Sequence, residues 1–433
     1  MKKTGATFSR RQMLGLLGAG VAASPRLLAQ TSSPMPPANT DASRLARDEA
    51  FWKEVGSYYD RAEGIINLEH GYWGKMARPV QEQYLAATQM VNKQLSYYAR
   101  RDYGRDAAES VRRVARALDV EPEEIVLTRN ATESIHNLIR QYQRITADDA
   151  LLYADIDYPS FQQTMQWLAD SAGATGVMLK LPPRASQQNI LDLYRSAFDE
   201  HPNLKLILLT HVSNQHGLVV PVAAITQEAR RRGIDVICDS AQSWGLLDFT
   251  LPELGVDWAG FNLHKWIGSP VGVGALYMRR GTLEKISPYP GERDPDNTRA
   301  ATRVHTATSN FAAILAVPAA LDFHEALGGA NKEARLRYLR GLWTQEADTM
   351  PHIEVLGGAD EDSWTGMASF RLRDQSSAAE VNALQKRLEQ EFGIFTVARY
   401  ELGSGACIRV TPQVFTTPDE LAQLVSALKR LQA

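Results

Sequence analysis

Between residues 125 and 280 the chain alternates two patterns. Short, almost continuously apolar runs ("EIVLTRN", "ALLYADIDY", "LKLILLTHVSN", "IDVICDSAQ") are separated by stretches whose apolar residues recur every three to four positions ("ATESIHNLIRQYQ", "SFQQTMQWLAD", "AAITQEARRRG"). The first pattern predicts strands buried on both faces and the second amphipathic helices, so together they predict a parallel sheet covered by helices. "TGVMLKL", "WAGFNLHK" and "GVGALYMRR" extend the strand set. Upstream, "RLARDEAFWKEVGSYYD" reads as helix and "GIINLEHGYWG" as a short extended arm with glycine turns. "PVQEQYLAATQMVNKQLSYYARR" and "DAAESVRRVARAL" read as two further helices. From about Thr308 one long helix, "SNFAAILAVPAALDFHEAL", leads into a smaller unit. That unit has strands at "IEVLGG", "MASFRLR", "FTVARY" and "ACIRVTP", and helices at "SAAEVNALQKRLEQEF" and "PDELAQLVSALKRLQ". The fold class is α/β, a large domain with a smaller C-terminal α+β domain, and the crevice between them is the expected binding site. The expected boundaries are an export signal over 1–29, a linker over 30–45 and an N-terminal arm over 46–75. A large domain over 76–307 and a connecting helix with the small domain over 308–433 complete the chain.

Composition narrows the function classes. Across 433 residues, 44% hydrophobic and 22% charged is ordinary for a globular protein with two or three structural units. No basic tract points to nucleic acid, and no apolar run beyond the first thirty residues is long enough to span a bilayer, so no membrane partner is expected after signal removal. Two cysteines, Cys238 and Cys407, are too few for a disulfide framework. The first thirty residues stand apart: a basic start, the pair Arg10-Arg11, an apolar run from Met13 to Ala23, and Ala29. This layout resembles a twin-arginine export signal and predicts a periplasmic protein. Removal through Ala29 takes Lys2, Lys3, Arg10, Arg11 and Arg26 and no acidic residue, which moves the formal charge from −3 to −8. Export in the folded state suits a protein that takes up a cofactor before leaving the cytoplasm.

Four predicted strand ends carry chemically useful residues, where α/β sheets collect functional groups. Ala131 and Thr132 open a helix after "LTRN", and a helix start can hold a phosphate. Asn214 follows the strand in "THVSNQHG". Asp239 ends the strand in "ICDSAQSWG". Lys265, beside His264, ends a run in "NLHKW". Taken alone, each also fits a structural role: a helix cap, a turn, a buried ion pair, a snorkelling lysine. Taken together they match the needs of pyridoxal 5'-phosphate. Its ring nitrogen wants a carboxylate, its aldehyde an amine with a lowered pKa, and its phosphate a helix start.

On these stretches, with "NLEHGYWG" and "IRVTPQVFTTPDEL", the chain resembles the class V aminotransferase family, within it the isopenicillin N epimerase-like branch. The resemblance implies a fold type I architecture with a mainly parallel seven-stranded sheet. It implies that Lys265 carries the covalent link to the cofactor and that Asp239 pairs with the ring nitrogen. Gln242 and Asn214 lie near the ring's 3'-oxygen, where many relatives place a histidine at the position of Gln242. Ala131, Thr132 and His264 hold the phosphate, and Asn262 stands where relatives often have serine or threonine. Tyr158 stacks on the ring. Thr308 matches a threonine that reaches the neighbouring subunit's phosphate, which implies a homodimer with shared sites. Arg409 matches the arginine that grips a substrate carboxylate with its planar fork. His70, Tyr72 and Trp73 line the substrate pocket.

No metal site is expected. The implied reaction begins with removal of the α-proton of an amino acid by Lys265. Transamination and epimerisation are the leading outcomes, and carbon–sulfur β-elimination or a cysteine desulfurase-like reaction is the alternative. A desulfurase needs a nucleophilic cysteine, yet Cys238 is expected to point away from Asp239 and Cys407 to fill core space. A protein that binds the cofactor without turnover is a different class of answer, against which the retained Lys265 and Asp239 argue.

Overall fold

The computed structural model describes residues 35–37, 40–293 and 298–431; the predicted export signal lies outside them. Numbered along the chain, strands β1 to β5 are Ile66–Asn67, Ile125–Thr128, Ala150–Ala154, Thr175–Leu179 and Arg184–Ala185. Strands β6 to β9 are Leu204–Thr210, Asp235–Ser240, Trp258–Asn262 and Gly274–Met278. Strands β10 to β14 are Ile353–Gly358, Ala368–Leu372, Ile394–Phe395, Val397–Arg399 and Cys407–Val410.

The main sheet has seven strands in the order β2-β9-β8-β7-β6-β3-β4. All pairs are parallel except those of β9, which runs antiparallel to both β2 and β8. The sheet is thus mainly parallel, as expected, with one antiparallel strand. β9 follows β8 through a short glycine-rich turn, too short for a crossover helix, so it must return antiparallel. Alternate residues serve two cores. Leu151, Leu206, Ile237 and Trp258 pack on one face, and Leu152, Ile207, Cys238 and Ala259 on the other. That is why these strands read as continuous apolar runs. Asp239 shares the parity of Ile237, and Cys238 faces the opposite core.

A second sheet, β13-β14-β11-β10-β5, belongs mainly to the C-terminal region. One of its ties crosses the boundaries expected from sequence: β5, drawn from residues 184–185, pairs with β10. A separate two-stranded sheet crosses them too, because β1 of the N-terminal arm pairs with β12. The expected long helix after Thr308 is two helices, Phe311–Leu315 and Val317–Leu327. Pro318 has no N–H and its ring excludes the carbonyl four residues back, so the chain breaks at Ala316. The helix Arg78–Arg101 is also interrupted, at Leu95, where φ is 50°. No single described helix is long and apolar enough to cross a membrane.

Among the described residues, two long helices and the short Leu251–Leu254 have no counterpart in the apolar periodicity above. Gln187–Glu200 opens with a capping box from Ser186 and Asn189, a local signal that the sequence does contain. Gly329–Ala347 is harder to see, because Lys332, Arg335 and Arg340 share its buried stripe with Leu336, Leu339 and Trp343. Arg335 donates to the Ala46 carbonyl at 2.9 Å and grips both carboxylate oxygens of Glu49, which anchors the N-terminal arm. The charged positions break the apolar pattern but keep its helical spacing.

Candidate active site

The carboxyl ends of β2, β6, β7 and β8 converge on one cavity of about 350 Å³, to which the turn after β3 adds Tyr158. Thr132, Tyr158, Asn214, Asp239, Gln242, Asn262, His264, Lys265, Tyr72 and Arg409 all line it. Residues spread over 338 positions of sequence are thus brought together by the sheet's order.

Lys265 stands in the cavity wall with its amine drawn down to about 7, first because burial disfavours its charge. Arg409 and Arg399 push the same way, while Asp239 and Glu69 oppose them. Close to neutral pH a large share of this amine is free base, the nucleophilic form. Asp239 is buried, and desolvation lifts its acid to about 6. One carboxylate oxygen accepts the Ala241 N–H at 2.9 Å. A pyridinium beside this buried acid would give it the counter-charge it lacks. The amine, the buried acid and the helix start fit the three ends of pyridoxal phosphate. The N-terminal arm is laid tightly on this floor. The Gly74 N–H donates to the His264 carbonyl at 2.7 Å, and a Cβ on Gly74 would overlap the Lys265 carbonyl oxygen.

Several expected contacts are rearranged. The Ala131 N–H donates to the Asn262 side chain at 2.8 Å, and Asn130 caps the Glu133 N–H at 2.8 Å. Thr132 lies between them in the cavity wall, so it is the first-turn residue whose N–H neither asparagine takes. Asn262 is therefore bonded to the start of the helix through Ala131. His264 gives Nδ1 to the Val273 carbonyl at 2.8 Å, and burial holds its pKa below the usual value. Its neutral Nε2 is an acceptor, so a bond to a phosphate oxygen requires protonation. Both ends of the Gln242 amide are engaged, donating to the Gly71 carbonyl and accepting from the Trp266 indole, each at 2.9 Å. As placed, Gln242 braces the arm with its oxygen and one N–H, and its second N–H remains for a ligand in the cavity it lines.

His70 is not in this cavity. It lines an adjoining one, where its backbone N–H donates to Thr411 at 2.8 Å and Nε2 lies 3.1 Å from the Asn67 carbonyl. Burial pushes it down to about 4, so it is neutral. Thr308 also lies elsewhere, lining a separate surface cavity beside Leu95 and Asn310. The cleft of its own chain does not use it.

Three residues enter that the sequence did not single out. Glu69 pairs with Arg409 at 2.6 Å, and both side chains are nearly inaccessible. Arg409 also donates to the Asn214 carbonyl at 2.7 Å, and its Nε has no partner. Arg399 lines the cavity with its own Nε buried and unpartnered, and its ion pair with Glu401 is long, at 3.9 Å. Asp157, which precedes Tyr158 in the chain, does not line the cavity; it is fully buried and accepts the Ala154 N–H at 2.7 Å. Desolvation first, and the Asp239 charge with it, hold the Asp157 acid up at about 7. Strand alternation could have found Arg399, two residues from Val397 on the same face of β13, since Val397 lies opposite Arg409 on β14 and alternate positions share a face. The Glu69–Arg409 pair spans 340 positions and had no local signal.

Cys238 and Cys407 are both buried. Burial pushes their thiols up to about 12 and about 11, so neither is a thiolate near neutral pH.

Comparison with known proteins agrees with this geometry. The aminotransferase class-V family profile matches residues 77–403. The chain is 26% identical over 398 residues to the isopenicillin N epimerase of Streptomyces clavuligerus, covering 88% of this chain and 98% of that protein. It is 28% identical over 327 residues to a cysteine desulfurase of Cronobacter sakazakii, covering 72% of this chain and 78% of that one. Among solved structures it resembles the apo cysteine desulfurase from Thermococcus onnurineus NA1 with a TM-score of 0.75 at 18% identity, over 88% of this chain and 97% of that one. It also resembles the cystine C–S lyase C-DES with a TM-score of 0.73 at 22% identity, over 84% and 97% of the two chains.

Proposed function

The chain belongs to the class V aminotransferase family of pyridoxal-phosphate enzymes, and from that premise we propose that it deprotonates the α-carbon of an amino acid as a transaminase or epimerase. The observation that carries the reading is the meeting of Lys265 and Asp239 in one cavity with a helix start and two arginines. Lys265 would hold the cofactor's aldehyde carbon, and its amine, with the pKa lowered toward neutrality, would serve as the base for the α-proton. Asp239 would hold the ring's proton. Thr132 and the helix start, with protonated His264, would hold the phosphate, and Tyr158 would cover the ring. Arg409, with Asn214 fixing its orientation, receives the substrate carboxylate. When bound, the cofactor supplies the electron sink that makes the α-proton removable.

The buried, protonated thiols argue against a cysteine desulfurase. A carbon–sulfur β-lyase, which needs no such thiol, is the second reading. We further propose that the protein leaves the cytoplasm by its Arg10-Arg11 signal. Its working form is a homodimer in which Thr308 serves the partner's site.

Two measurements test the core reading. Borohydride reduction of the reconstituted protein followed by peptide mapping is expected to label Lys265; a label elsewhere, or none, overturns it. A screen of amino acids for keto acid, D/L ratio and sulfide then separates the reactions. Sulfide from cysteine without keto-acid exchange would replace transamination by the lyase.

A further inference from the structure

We infer that the active-site cleft continues into a side-chain subsite selecting amino acids with a large, mainly apolar side chain that carries a hydrogen-bond acceptor. The inference rests on the reading that α-amino acids bind beside Lys265. A second cavity of about 530 Å³ adjoins the first, and the two share Tyr72, Trp73, Val271, Arg399 and Arg409. Lys265 lines the first cavity and not the larger second one. Its volume falls in the range of about 300–1,000 Å³ that holds drug-sized ligands, far beyond what a methyl or thiol group fills.

The walls say what would fill it. Met76, Phe395, Val397 and Trp73 supply apolar surface. Val397 sits opposite Arg409 across the β13–β14 ladder, and Arg399 follows it two residues on. Directly opposed and alternate residues share a face, so one sheet face presents an apolar side chain flanked by two guanidinium groups. Arg399 lines both cavities, its side chain is partly accessible, and its ion pair with Glu401 is long, at 3.9 Å. Its guanidinium therefore has N–H donors to offer an acceptor on the ligand.

The charge balance points the same way. The guanidinium of Arg409 already has the Glu69 carboxylate against it. A substrate's α-carboxylate thus enters a site that is counter-charged, and that contact alone discriminates weakly. Affinity must then come from elsewhere on the ligand, and the adjoining apolar walls are where it is available. Each methylene buried there is worth about a fourfold gain in affinity.

The test titrates the holoenzyme with L-alanine, L-norleucine and L-phenylalanine and follows the absorbance of the bound cofactor. Norleucine and phenylalanine are expected to bind at least about tenfold more tightly than alanine. Val397→Trp, which fills the second cavity, is expected to bring the norleucine-to-alanine affinity ratio toward one. Met76→Phe reads the same quantity from the opposite wall should Val397→Trp not fold. A flat series in the parent protein, or a ratio that neither filling variant changes, overturns the subsite while leaving amino-acid binding at Lys265 intact. If no amino acid of any size perturbs the spectrum, the underlying function is overturned and the subsite with it.

Discussion

The Glu69–Arg409 pair gives the sharpest prediction, because its sign opposes ordinary expectation for breaking a buried ion pair. Glu69→Gln removes one negative charge but leaves an amide oxygen to accept the bond from Nη2. Arg409 also keeps its bond to the Asn214 carbonyl and its packing on Gly71, whose missing side chain makes room for the guanidinium. A ligand carboxylate on the same guanidinium would stand about 6 Å from the Glu69 carboxylate, a repulsion of roughly 3 kcal/mol at an effective dielectric of about 20. Halving that for relaxation and residual water leaves about 1.5 kcal/mol, close to a tenfold gain in affinity when the charge is removed. The assay is the dissociation constant of a short monocarboxylate without an amine, so that no chemistry follows. It is measured by spectral titration at fixed ionic strength, with thermal melts as the folding control. Arg409→Gln, run beside it, is expected to weaken the same ligand strongly. Unchanged or weaker binding by Glu69→Gln, with the melt preserved and Arg409→Gln impaired, would refute the charge-balance argument and reduce Glu69 to a structural brace.

Cofactor loading of the apoprotein is expected to accelerate from pH 6 to 8 and level off above, because burial brings the Lys265 amine down to about 7 and only its free base attacks the aldehyde; stopped-flow absorbance checks this, and a flat profile contradicts it. Cys238→Ala and Cys407→Ala are each expected to keep turnover within about twofold, since neither thiol ionises near neutral pH; a hundredfold loss in product assays would restore the desulfurase reading. Leu95→Gly is expected to raise thermal stability by about 1–2 kcal/mol, read in a melt, because a leucine at positive φ is strained where glycine is not. Replacing Arg10 and Arg11 with lysine is expected to leave the protein in the cytoplasm on fractionation.

Much of the fold was legible because local pattern and burial agree. Strands covered on both faces must be apolar throughout, so β3, β6 and β7 announce themselves in any window. Lys265, Asp239 and Thr132 stood out for a related reason, since a polar residue ending an apolar run needs an explanation, and the fold brings all three to one cavity. The helix Gly329–Ala347 was not, because cations on its buried face erase the contrast that periodicity reads.

What the sequence by itself determined, then, is the alternation of strands and helices, the positions of the reactive groups at strand ends, and the cofactor they suit. Partnership was decided by the tertiary structure. Asn262 on the Ala131 N–H, Gln242 between Gly71 and Trp266, and Glu69 on Arg409 join elements 24 to 340 residues apart. Such pairings depend on strand order, the reversal at β9 and the path of the arm. A residue's type fixes what it can bond, whereas only the folded chain fixes which of its possible partners lies within 3 Å.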